Sequence, residues 1–130
     1  MISTKLVIDG TGHDAAVCNT ILRKIPNAKI GKLGVLGEKP MWSEVGERLT
    51  VDATQEIYPG LIVAGMAANA ATRAPRMGPI FGGMLLSGKK AANLAPVSYT
   101  HLDVYKRQPT DYSVMRRINI IRSYLVRLDF

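Results

Sequence analysis

Apolar and polar positions fall into short blocks separated by glycine and proline. Lys5-Leu6-Val7-Ile8-Asp9 is a β-branched run ended by Gly10-Thr11-Gly12, the pattern of a buried strand leaving through a tight turn. A helix is expected next. Asp14 is placed to cap it, and Ala15, Ala16, Val17, Cys18, Ile21, Leu22 and Ile25 recur at near-helical spacing until Pro26-Asn27 breaks the pattern. From Lys29 to Pro40 the glycines Gly31, Gly34 and Gly37 leave no steady period, which predicts a surface loop with a short extended piece. Trp42 to Arg48 suggests a brief helical turn, and Arg48 to Thr54 alternates as a strand does. Glu56-Ile57-Tyr58-Pro59-Gly60 then turns into a core strand, Leu61-Ile62-Val63-Ala64, which runs into Gly65-Met66-Ala67-Ala68. Asn69 to Arg76 is expected as a loop. Pro79 to Leu94 has helical spacing, with Gly82 and Gly83 permitting close packing on a strand or a ligand. No internal repeat is found.

A chain of 130 residues has room for one small domain, and 47% hydrophobic with 21% charged residues excludes disordered, collagen-like and disulfide-stapled classes. No apolar run approaches the roughly 18 to 20 residues of a membrane span, and no basic start leads into a secretory apolar segment, so a cytoplasmic protein without membrane partners is expected. Cys18 is the single cysteine and has no internal disulfide partner. The net charge of +7 divides unevenly, +4 over residues 1–96 and +3 over 97–130, but no basic run is interleaved with aromatics, so nucleic acid is not expected as a partner.

In open α/β sheets ligands bind beyond the carboxyl ends of strands, where glycine turns and helix N-termini converge. Two such ends occur: Ile8-Asp9-Gly10-Thr11-Gly12-His13-Asp14, and Val63-Ala64-Gly65-Met66-Ala67 followed by Arg76-Met77-Gly78-Pro79. Each candidate there has a plainer alternative. His13 reads equally as a solvent-facing histidine, Met66 as core packing and Arg76 as a surface arginine. Lys89 and Lys90 look like a solvated helix end.

The blocks Thr11-Gly12-His13-Asp14-Ala15, Tyr58-Pro59-Gly60-Leu61-Ile62-Val63-Ala64-Gly65-Met66 and Ala74-Pro75-Arg76-Met77-Gly78-Pro79-Ile80-Phe81-Gly82-Gly83-Met84, in this order and spacing, resemble the C-terminal half of the thiamine thiazole synthase family over about residues 5 to 95. The resemblance implies an α/β fold: a truncated FAD/NAD(P)-binding, Rossmann-like domain of the glutathione-reductase type. It implies that NAD is used as a substrate. Nicotinamide is removed, the ADP-ribose moiety condenses with glycine, and sulfur from sulfide or from a protein cysteine gives an adenylated thiazole carboxylate, assisted by Fe(II). Carried over residue by residue, His13 matches an iron ligand that also contacts the adduct, and Met66 a contact to the dinucleotide. Arg76 matches the group holding the glycine carboxylate, and Met77 and Gly78 complete the substrate loop. A homo-oligomer is implied for the intact enzyme.

The resemblance also has limits. No G-x-G-x-x-G follows a strand, and the family's sulfur-donor position and second iron ligand, an aspartate, would both fall before Met1. Cys18 is rejected as sulfur donor, because it lies after the Gly-His-Asp motif on a predicted helix, where a small buried thiol is the common case. The chain alone is expected to be inactive. A flavin-dependent oxidoreductase is a second reading of the same strand ends, opposed by Arg76-Met77-Gly78-Pro79. A non-enzymatic basic interaction module centred on the tail is a third.

Organisation changes at Pro96. Val97 to Gln108 back-translates, with two bases from a Pro96 codon, to DNA that is its own reverse complement, resembling two abutted transposon mosaic ends. The expected organisation is therefore the synthase segment at 1–96, an artefactual junction at 97–108 and an unrelated tail at 109–130. In that tail Ile118, Ile121, Leu125 and Leu128 line one face of a possible helix, and Arg116, Arg117, Arg122 and Arg127 are functionally silent.

Overall fold

Strand β1 (Val7–Asp9) leads through a 3-10 turn (Gly12–Asp14) into helix α1 (Ala16–Lys24). Helix α2 (Ser43–Ala53), strands β2 (Gln55–Tyr58) and β3 (Leu61–Val63), and helices α3 (Met66–Thr72) and α4 (Phe81–Arg107) follow. This is the order in a computed structural model that describes residues 4–30 and 36–107. The predicted helix face of the tail at 109–130 lies outside the described residues.

The architecture is α/β, built on a small mixed sheet in the order β1-β3-β2. Central β3 pairs in parallel with β1, Val7 opposite Leu61 and Asp9 opposite Val63, and antiparallel with β2. Pro59-Gly60 makes the β2–β3 turn, where Gly60 has φ of 82°, a value an L side chain resists. Successive β3 side chains face opposite sides of the sheet. Leu61 and Val63 join the cluster with Cys18, Ile21, Ala67 and Ala71, whereas Ile62 packs with Ala91 of α4. β3 is therefore a continuous apolar run because both of its faces are covered, and each such buried side chain contributes about 1.5–3 kcal/mol.

The start of α1 differs from expectation. Ala15 sits at the cap position in left-handed backbone (φ 40°), which leaves Asp14 in the 3-10 turn before it. The capping oxygens come from further back. Thr11 Oγ1 accepts the Ala16 N–H at 2.7 Å, and Oδ2 of Asp9, fully buried at the end of β1, accepts the Cys18 N–H at 3.1 Å. Asp9 Oδ1 accepts from both the N–H and the hydroxyl of Thr11, at 3.0 and 2.6 Å.

Arg48 to Thr54 is not a strand. It lies in α2 up to Ala53, and the turn expected at Trp42 to Arg48 is the first half of the same helix. The apparent alternation is overridden by a helical set, Gly46, Thr50 and Ala53, which is the face buried against α3 and α4. The Thr50 hydroxyl donates to the Gly46 carbonyl and the Thr54 hydroxyl to that of Thr50, so both β-branched residues satisfy their oxygens four residues back.

The loop expected over Asn69 to Arg76 begins later, because α3 continues to Thr72 with Ala67, Ala68, Ala70 and Ala71 all buried. Helix α4 starts near the expected Pro79 but runs past Leu94 and through Pro96 to Arg107. Its Gly83 lies against α2 and not against a strand: a Cβ there would stand 2.8 Å from Glu47 Cγ. Lys90 is not a solvated end. Its Nζ donates to the carbonyls of Val51 and Asp52 at 2.7 and 3.0 Å, satisfying the last turn of α2. Further along α4, Tyr99 OH accepts from Lys5 Nζ at 2.9 Å. Among the described residues no helix is long and apolar enough to cross a membrane.

Candidate functional site

Parallel pairing brings the carboxyl ends of β1 and β3 to one edge of the sheet, where the Ala64 N–H donates to the Asp9 carbonyl at 2.9 Å. Beyond β1 the 3-10 turn carries His13. Beyond β3, Gly65 (φ 62°) admits the sharp entry into α3, and its N–H is held by Ser87 Oγ at 2.7 Å. Helix α3, with half-buried Met66 as its first residue, packs against the turn that carries His13.

After α3 the chain passes alongside residues 37–42. Gly37 N–H donates to the Ala70 carbonyl at 2.9 Å, Lys39 N–H to that of Ala74 at 3.1 Å, Arg76 N–H to that of Lys39 at 3.3 Å and Trp42 N–H to that of Arg76 at 3.0 Å. This strap fixes Glu38 beside Arg76. Beneath it, buried Asn69 donates from Nδ2 to Thr50 Oγ1 at 2.7 Å, tying α3 to α2.

His13 and Arg76 are brought together on a residue that belongs to no sequence motif singled out above. Glu38 Oε2 lies 2.6 Å from His13 Nδ1 and 2.9 Å from Arg76 Nε. The Glu38 side chain is 3% exposed, against 40% for His13 and 55% for Arg76, so a buried carboxylate anchors two side chains whose outer parts reach solvent. Its second oxygen, Oε1, is buried without a hydrogen-bond partner. The one clue in the sequence is that Glu38 is the sole acid between Asp14 and Glu44, in a stretch that holds Arg23, Lys24, Lys29, Lys32 and Lys39.

The remaining candidates are placed differently. Met77 is fully buried, main chain included, with Sδ 3.2 Å from the Thr50 hydroxyl. Gly78 has φ of 74°, and a Cβ there would stand 3.0 Å from Met41 Sδ. A cavity of about 650 Å³ opens beside His13 along α1, lined also by Asp14, Asn19, Thr20 and Arg23. Cys18 faces the interior. Burial, reinforced by a hydrogen bond to Asp9 and by its charge, pushes the thiol well above its ordinary range and keeps it protonated, which is unsuited to sulfur donation. Among the described residues no three or more His, Cys, Asp or Glu side chains gather as a metal cage.

Residues 1–81 match the model of the Thi4 family. The chain is 90% identical over 95 residues to a thiamine thiazole synthase of Methanosarcina mazei, covering 73% of this chain and 36% of that protein. It is 56% identical over 91 residues to a thiamine thiazole synthase of Pyrococcus furiosus, covering 70% of this chain and 34% of the relative. Its fold superposes on the crystal structure of Thermovibrio ammonificans THI4 with a TM-score of 0.71 at 48% identity, covering 76% of this chain and 38% of that one. The chain thus spans about a third of the length of these relatives. With fold, strand-end motifs and sequence in agreement, the chain belongs to the Thi4 family.

Proposed function

We propose that this chain carries the glycine- and iron-facing part of a thiamine thiazole synthase, within a Rossmann-like dinucleotide-binding domain of the glutathione-reductase type that takes NAD as substrate. The observation that carries this reading is the convergence of His13 and Arg76, from loops at one sheet edge, on a single oxygen of Glu38. In the proposed reaction nicotinamide leaves NAD, the ADP-ribose moiety condenses with glycine, and sulfide or a protein cysteine supplies the sulfur of the adenylated thiazole carboxylate. The whole enzyme on this reading is a cytoplasmic homo-oligomer.

Each residue has a definite task. Arg76 spends its Nε on Glu38 and keeps its terminal Nη groups for the glycine carboxylate, where paired charged hydrogen bonds are strong and directional. Met66, at the mouth of α3, contacts the dinucleotide, and Gly78 lets backbone approach the substrate closely.

The residues fit ferrous iron on one count that the structure itself supplies. A metal-bound histidine ordinarily gives its other ring nitrogen to a carboxylate, and His13 Nδ1 is so engaged by Glu38. Imidazole suits Fe(II), and His13 would hold it. When bound, the ion supplies a Lewis acid that polarises ligand oxygens.

The test is a chimera in which the matched 95 residues replace their counterpart in the Methanosarcina mazei relative. Supplied with NAD, glycine, sulfide and Fe(II), it should form the adenylated thiazole by mass spectrometry, and His13→Ala and Arg76→Ala should each abolish it. Full product formation by both variants would overturn the assignment.

A further inference from the structure

We propose that Glu38 is the positioning residue of this site. From one oxygen it fixes the tautomer of His13 and the orientation of the Arg76 guanidinium. The inference rests on the synthase reading only for what the two side chains then do.

A carboxylate oxygen has two lone-pair directions and donates nothing. Glu38 Oε2 receives His13 Nδ1 at 2.6 Å and Arg76 Nε at 2.9 Å, while Oε1 has no partner. The carboxylate therefore commits its hydrogen bonding to these two residues. Because it can only accept, the ring nitrogen facing it must carry the proton, and Nε2 of the neutral ring is left with its lone pair available to a ligand. For Arg76 the same contact uses the Nε side of the fork and leaves the end-on Nη pair, the edge that grips a carboxylate in two parallel bonds.

The location is also specified independently of the two partners. Glu38 lies between Gly37, whose N–H binds the Ala70 carbonyl, and Lys39, whose N–H and carbonyl bind Ala74 and Arg76, so main-chain bonds on both sides hold it. Its side chain is 3% exposed, which shields the accepting carboxylate itself from water. A surface ion pair would hold neither partner in one geometry. A buried acceptor shared by two donors does.

The test is long-range proton–nitrogen NMR of the 130-residue chain, at a pH well above the ordinary imidazole range. The chain has two histidines, His13 and His101, and His101→Gln identifies the other ring. The expected spectrum has the proton on Nδ1 of His13, favoured about tenfold by a hydrogen bond to a charged acceptor, and an Arg76 Nε–H resonance protected from exchange with water. Glu38→Ala should release both, redistributing the His13 proton and exposing the Arg76 Nε–H. Glu38→Gln keeps one acceptor oxygen and should preserve the Nδ1–H form. A wild-type ring protonated on Nε2 overturns the proposal without any variant, and so does a Glu38→Ala spectrum unchanged from wild type. The readout needs no iron, NAD or glycine, so failure of the synthase reading in the chimera leaves it standing, and its own failure leaves product formation untouched.

Discussion

Gly46 of α2 touches the backbone of Arg76: a Cβ at position 46 would stand 2.9 Å from the Arg76 carbonyl oxygen, and 2.8 Å from Met77 Cα. Neither neighbour is the movable end of a side chain. Alanine ordinarily favours a helix over glycine by about 1 kcal/mol, yet overpacking against fixed atoms costs about 1–3 kcal/mol or more. Gly46→Ala should therefore lower the Tm by several degrees and displace Arg76 from Glu38. Differential scanning calorimetry checks the first, and an unchanged or raised Tm would contradict the packing described.

Asp9 organises the turn that presents His13, because its two oxygens hold Thr11 and the Cys18 N–H at once. Asp9→Ala leaves the buried Cys18 N–H without its acceptor, which costs about 1–3 kcal/mol, and releases exposed Thr11 to water. Denaturant titration should show a loss of at least about 1 kcal/mol. The Thr11→Ala substitution, which removes a single capping hydroxyl, should cost about 1 kcal/mol.

The buried thiol gives an alkaline signature. The pKa of Cys18 is raised above its ordinary 9.0, chiefly by burial, so above that pH the unfolded chain releases a proton that the folded chain keeps. Stability from this group is full below pH 9 and falls as pH rises, by up to about 1.4 kcal/mol per pH unit. Comparison of wild type with Cys18→Ala by denaturant titration between pH 8 and 10 should show the steeper decline in wild type. Parallel slopes would mean that Cys18 titrates normally in the fold.

Strands β1 and β3, the glycine turn before α1 and the start of α4 are legible in the sequence because each is a local block of one period bounded by glycine or proline. Arg48 to Thr54 misleads because its alternation is only seven residues long and is decided by which face meets α3 and α4. Asn69 resembles a loop residue but is a buried tie between helices. Glu38 and Gly46 are silent because their importance comes from what lies across the fold, 25 and 30 residues away at His13 and Arg76. Local pattern reports neither.

Arg76→Lys keeps the charge and loses the planar fork. In the chimera it should raise the KM for glycine about tenfold or more, with a smaller effect on the KM for NAD. Equal effects on both substrates would place Arg76 away from the glycine carboxylate.

The central claim is that His13 and Arg76 address one ligand from two loops. A crystal structure of the chimera with NAD and glycine measures this directly. The account predicts a single bound species with its carboxylate on the Arg76 Nη groups and the His13 ring facing the same species. Arg76 and His13 turned toward separate cavities, with no molecule common to both, would contradict it.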